Sequence, residues 1–261
     1  MPKTLRCLIL TMLLCLPALP GAALEPFREP EVLYQVSTLQ ALLDGLYDGQ
    51  MSFQELAVHG DMGLGTFDKL DGEMVAIGGK FYQVRIDGSV HEADPDMTTP
   101  FAQVTPFYPD IVVDISGVEG LDALKARIDA ALPSRNQFYA IIMTGEFGSM
   151  KTRSVPPQER PYPVLTEVVK DQAVFEFSDV SGVVVGFYSP DYAQSVGVPG
   201  YHLHFLTDDR SAGGHILDLA VTDATLELDA TPTMTVTVPE TGEFQEHDFT
   251  HSDSSTDGVE R

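Results

Sequence analysis

Cysteine is almost missing from this 261-residue chain: it has two, Cys7 and Cys15. Both fall within MPKTLRCLILTMLLCLPALPGAA, where Lys3 and Arg6 precede an apolar run from Leu8 to Leu19, and the small residues Gly21, Ala22 and Ala23 follow. That order is the pattern of a secretory signal peptide over residues 1–23. The chain is expected to be exported, to a periplasmic or secreted destination, with no thiol left in its mature form to make a disulfide. Leu14, large and branched, sits where a lipoprotein signal carries a small residue, so no lipid anchor on Cys15 is expected.

Long apolar runs are lacking as well. The leader run is shorter than the ~18 residues read as a membrane-spanning helix, and no later stretch is both that long and free of charge. Basic residues are the third scarcity, 15 against 39 acidic ones. Cleavage after Ala23 removes Lys3 and Arg6 and no acid, leaving 13 basic residues and a net charge of −26. Such a surface repels phosphate backbones and anionic headgroups, so neither nucleic acid nor membrane is an expected partner.

What remains is globular in composition, long enough for one large or two modest domains by the usual allowance of about 100–200 residues each. Only the end, QEHDFTHSDSSTDGVER from Gln245, is polar enough to fray. Ser37 with Gln40 three residues on reads as a capping box, and Leu39, Leu42, Leu43 and Leu46 form a stripe at helical spacing. A second helix is expected from about Leu121, with Leu124, Ile128 and Leu132 on one face and Pro133 ending it. Runs such as MVAIGGKFYQVRI, IVVDI, FYAIIM, GVVVGFYS, YHLHFLT and HILDLAVTDATLELD read as strands. The expected fold class is α+β, strand-dominated.

Three of the seven histidines lie in GYHLHFLTDDRSAGGHILDL, residues 200–219. In a strand His202 and His204 point to the same face. If TDDRSAGG forms a turn, with Gly213 and Gly214 supplying permissive backbone, His215 returns beside His204. A lone strand histidine is commonly a packed or surface residue. Three on one face with a vacant fourth position are a set that holds catalytic zinc. The set alone fits zinc hydration chemistry, a cupin-like metal oxygenase, a metal-assisted lyase or a non-catalytic metal binder, because each needs only an open coordination position. Glu73, at the start of a strand after the DG turn of GTFDKLDGEMVAI, is a further candidate, its plain alternative being a solvated turn carboxylate. So is Arg153 in KTRSVPPQERPYPVL, whose plain alternative is a surface ion pair.

Over nearly the whole expected mature chain the sequence resembles the α-acetolactate decarboxylases. The motifs are YQVSTLQALLDGLYDG (34–49), HGDMGLGTFDKLDGEM (59–74), FYAI (138–141), KTRSVPPQERPYPVL (151–165) and GFYSPDYAQSVGVPGYHLHFLTDDRSAGGH (186–215). The stretch IIMTGEF (141–147) departs from the pattern, which usually has an arginine and an aspartate there, and it reads as a structural strand.

The resemblance implies zinc on His202, His204 and His215, with Glu73, Arg153 and a C-terminal glutamate, best matched by Glu260, as catalytic residues. It implies decarboxylation of 2-acetolactate to (R)-acetoin and carbon dioxide, in acetoin and butanediol biosynthesis, by a homodimer acting on a small 2-hydroxy-3-oxo acid. It also implies two α/β halves with mixed sheets, 24–158 and 159–261, with a seam in the proline-rich stretch from Pro156 to Pro163. The metal site would lie on a β-hairpin of the second half and receive Glu73 from the first.

Overall fold

The computed structural model describes residues 31–251 and Val259; the expected leader, 1–23, and Glu260 lie outside them. In chain order the strands are Val32–Val36 (β1), Met51–Ser52 (β2), Met62–Thr66 (β3), Glu73–Ile77 (β4), Lys80–Val84 (β5), Val90–Glu92 (β6) and Thr98–Thr99 (β7). There follow Ala102–Thr105 (β8), Ile111–Glu119 (β9), Tyr139–Ser154 (β10), Ala173–Ser189 (β11), Gly200–Thr207 (β12), Gly213–Ala230 (β13) and Thr233–Thr237 (β14). The helices are Leu39–Leu43 (α1), Phe53–Leu56 (α2), Leu121–Ala131 (α3), Leu165–Val168 (α4) and Gly242–Glu246 (α5). None is long and apolar enough to cross a membrane among the described residues.

The first sheet runs β14-β1-β8-β3-β4-β5-β6, mixed because β14 lies parallel to β1. The second runs β10-β11-β12-β13-β9, and β10 also pairs with β13, so four strands close on themselves. Strand membership crosses residue 158 in both directions: β9 and β10, before it, belong to the second sheet, and β14, after it, to the first. The proline-rich stretch is the connection from β10 to α4. Prolines mark where a ladder must stop, not which sheet the next strand joins.

Apolar runs without alternation arise where strands are covered on both faces. In β10, Ile141 and Met143 face a core with Val184, Leu203, Phe205, Leu226 and Leu228, sealed by Leu124 and Ile128 of α3. Their neighbours Ala140 and Ile142 face a second core with Val183, Val185 and Phe187, shared with Leu33, Leu64 and Val75 of the first sheet. The stretch 141–147 is thus strand, as expected.

Helix α3 ends at Ala131, and Leu132 is its extended cap before Pro133. The start of α1 differs from expectation by one residue. Ser37 leaves β1 with φ of 62°, a left-handed turn, and Thr38 caps the helix, its Oγ1 accepting from Ala41 N–H at 3.1 Å. The side chain of Gln40 donates to Asp44 instead of closing a box.

Candidate active site

The hairpin forms, and its register carries the site. His204 of β12 is paired directly with His215 of β13, and His215 with Arg153 of β10. Directly opposed residues of an antiparallel ladder share a face. His204, His215 and Arg153 therefore stand in one row across three strands, with His202 beside His204 two residues back. A bulge between Lys151 and Thr152 resets the β10–β13 register just before the row.

The turn itself is shorter than expected. Gly213 and Gly214 already belong to β13, and the left-handed turn residue is Arg210, φ 59°. Their lack of a side chain serves close approach: a Cβ on Gly214 would lie 2.4 Å from the Arg153 carbonyl oxygen, at a φ of 130° besides.

The three imidazoles form a near-equilateral triangle, with ring centroids 5.0, 5.1 and 5.3 Å apart. One ring nitrogen from each lies within 4.8 Å of the others. All three are buried. Burial, reinforced by the Arg153 charge, pushes the His202 imidazole down to about 3. Burial likewise holds His204 and His215 well below the usual histidine range, so all three are neutral near pH 7. His204 Nδ1 sits 2.8 Å from the Met74 carbonyl. A carbonyl accepts only, so the proton is on Nδ1 and the Nε2 lone pair is left to point elsewhere. That Nε2 and His202 Nδ1 are buried without a hydrogen-bond partner. Three neutral imidazoles, with buried ring nitrogens on His202 and His204 that no hydrogen bond satisfies, are a donor set that fits a zinc ion.

Glu73 opens β4, 8 % exposed, and its Oε2 lies 3.5 Å from His204 Nε2. Met74, next in the strand, holds the other side of the same ring. Arg153 is 4 % exposed; its Nη1 donates to Gln172 Oε1 at 3.1 Å and its buried Nε has no partner. Glu73, Arg153, His202 and His215 all line one narrow cleft. Its remaining wall is mostly apolar, including Leu42, Leu70, Phe101, Val155, Leu165 and Val169.

Sequence reasoning missed Thr66 and Val259. Thr66 lines the cleft directly opposite Glu73 in the β3–β4 ladder. The turn between them was the available signal, since it closes a hairpin that sets them face to face. Val259 is 1 % exposed and packs into the cluster of Leu42, Leu70, Phe101, Val155 and Leu165 that walls the cleft. Nothing in the polar tail foretold this.

The family model described as alpha-acetolactate decarboxylase matches residues 33–251. An alpha-acetolactate decarboxylase of Methanosarcina mazei is 48% identical over 214 residues, spanning 82% of this chain and 74% of that protein. One from Brevibacillus brevis is 42% identical over 236 residues, 90% of this chain and 82% of that one. The crystal structure of alpha-acetolactate decarboxylase from Bacillus subtilis strain 168 resembles this fold with a TM-score of 0.81 at 38% identity, covering 87% of this chain and 96% of that one.

Proposed function

Because the chain belongs to the alpha-acetolactate decarboxylase family and is a carboxy-lyase, we propose that its cleft converts 2-acetolactate to (R)-acetoin and carbon dioxide with zinc on His202, His204 and His215. The observation that carries this reading is the triangle of three neutral imidazoles, two of which, His202 and His215, line one largely apolar cleft together with Glu73 and Arg153. A bound zinc ion would supply a Lewis acid toward the ketone and hydroxyl oxygens of the substrate.

The chain's own groups do the rest. Arg153, buried and cationic, orients the substrate carboxylate with its planar fork before that group leaves. The apolar walls take the two methyl groups and exclude water from the reacting carbons. Decarboxylation breaks the bond from the carboxyl carbon to the carbinol carbon, and the electron pair passes to the adjacent ketone as an enediolate. One proton must then be added to the former carbinol carbon to give acetoin. Glu73, beside the imidazoles, and Glu260 manage the protons: the hydroxyl proton that one of them takes up goes back to that oxygen, and a second proton, drawn from solvent, is delivered to carbon from a fixed side, which sets the hand of the product. The burial of Val259 among the residues that wall the cleft supports a role for its neighbour Glu260.

By the same kinship the assembly is a homodimer, which light scattering tests, and the reaction serves acetoin and butanediol biosynthesis after export. The deciding experiment incubates purified protein with racemic acetolactate and measures acetoin and carbon dioxide with and without a chelator. Turnover that the chelator abolishes and zinc restores is expected; no turnover with any metal would remove the reading.

A further inference from the structure

We infer that Gln172 is a positioning residue that fixes the Arg153 fork with a neutral acceptor and so leaves its whole charge for the substrate carboxylate. This rests on the role proposed above for Arg153. The guanidinium is 4 % exposed and reaches the Gln172 amide oxygen at 3.1 Å. In a chain with 39 acidic residues and 15 basic ones, a buried arginine held by an amide is the less expected pairing. An acid is at hand one position earlier, Asp171, and it faces solvent.

The ladder explains the geometry. Arg153 pairs with Val174 and Ser154 with Ala173, so Gln172 stands just beyond the last rung, diagonal to Arg153. Its own backbone is pinned by an N–H bond to the carbonyl of Val169, whose side chain lines the cleft. A carboxylate in that place would pair with the guanidinium and compete with the substrate for it. An amide accepts one N–H without cancelling the charge, and it limits the rotamers of a long, flexible side chain.

The test compares ligands that differ in charge. One is 2-hydroxy-2-methylbutanoate, which keeps the carboxylate and tertiary hydroxyl but has no ketone to accept electrons and is inert; the other is acetoin, which is neutral. Inhibition constants, kcat and KM are measured with the zinc-loaded enzyme and its Gln172→Glu and Gln172→Leu variants, with zinc content confirmed. Gln172→Glu is expected to raise KM and weaken the carboxylate ligand at least tenfold while changing acetoin by less than twofold. Gln172→Leu, similar in size without an acceptor, is expected to do the same to a smaller degree. Equal changes for both ligands, or none, overturn the inference, because a merely structural role does not discriminate charge. Arg153→Ala is run alongside: if it binds the carboxylate as wild type does, the role of Arg153 itself fails, whereas loss there with silent Gln172 variants sinks only the positioning inference.

Discussion

Acid should unfold the metal-free protein in a window set by its three buried imidazoles. His202 has an ordinary value of 6.5 and is held at about 3 by burial. At pH 5 the unfolded side chain is nearly all protonated while the folded one is nearly all neutral. The folded state then forgoes about 1.5 pH units of proton binding, or about 2 kcal/mol at 1.36 kcal/mol per unit. His204 and His215 shift in the same direction for the same leading cause, so they add to this loss, which is set against a total stability on the order of 5–15 kcal/mol.

The sign follows from the depressed folded values. The contribution is fully present above the unfolded value of 6.5 and drains as pH falls toward the folded ones. Carboxylates act in a different window: Asp87 and Asp209, held low by hydrogen bonds from Ser89 and from Ser211 and Thr207, are lost only as pH falls through the usual carboxylate range and below. Urea unfolding of chelator-treated protein, followed by circular dichroism at pH 7, 6 and 5, measures the effect. His202→Gln should shrink the loss between pH 7 and 5 by about 2 kcal/mol. A stability that stays level from pH 7 to 5 in the metal-free protein would refute the reasoning.

Other substitutions separate metal binding, chemistry and backbone geometry. His204→Ala should lose zinc by elemental analysis together with activity, while His91→Ala, exposed on β6, should keep both; full zinc in His204→Ala would dismiss the ligand assignment. Arg153→Ala should retain zinc and fold and lose turnover, and Arg153→Lys should recover only part of it because an ammonium has no planar fork. Gly214→Ala would force a Cβ against the Arg153 carbonyl and should cost about 1–3 kcal/mol in urea unfolding, with reduced kcat; a neutral result would mean the strand yields easily there. Deleting residues from Gly258 onward removes Val259, so thermal unfolding should come earlier and turnover should vanish with zinc still bound; unchanged turnover would exclude the tail from the reaction.

Local pattern disclosed more of the site than of the sheets. The period of two that puts His202 and His204 on one face, and the return of His215, follow from strand geometry alone, and the structure has that pairing. The helix over 121–131 was equally legible because Leu124 and Ile128 repeat on one face. What local pattern could not convey is partner choice: β9 and β10 join the later strands, and β14 crosses back to β1, on the strength of contacts far apart in sequence. The capping shift from Ser37 to Thr38 depends on the left-handed turn out of β1, which a motif search does not see. Gln172 carries no motif either; only the end of a ladder brings it to Arg153.

The closed ring of β10, β11, β12 and β13 also bears on the order in which the molecule assembles. His202 and His204 sit two residues apart in the chain, but the row they belong to is completed only when β10 meets β13 and Arg153 comes level with His215 across a long stretch of intervening chain. Closing so long a loop costs entropy that must be met before the pairing returns any stabilisation, and folds built from such distant partners form slowly. The cleft is therefore a late product of folding. A chain that has formed its local hairpins without closing the ring can offer a metal two or three loose imidazoles, but not a charged fork facing them.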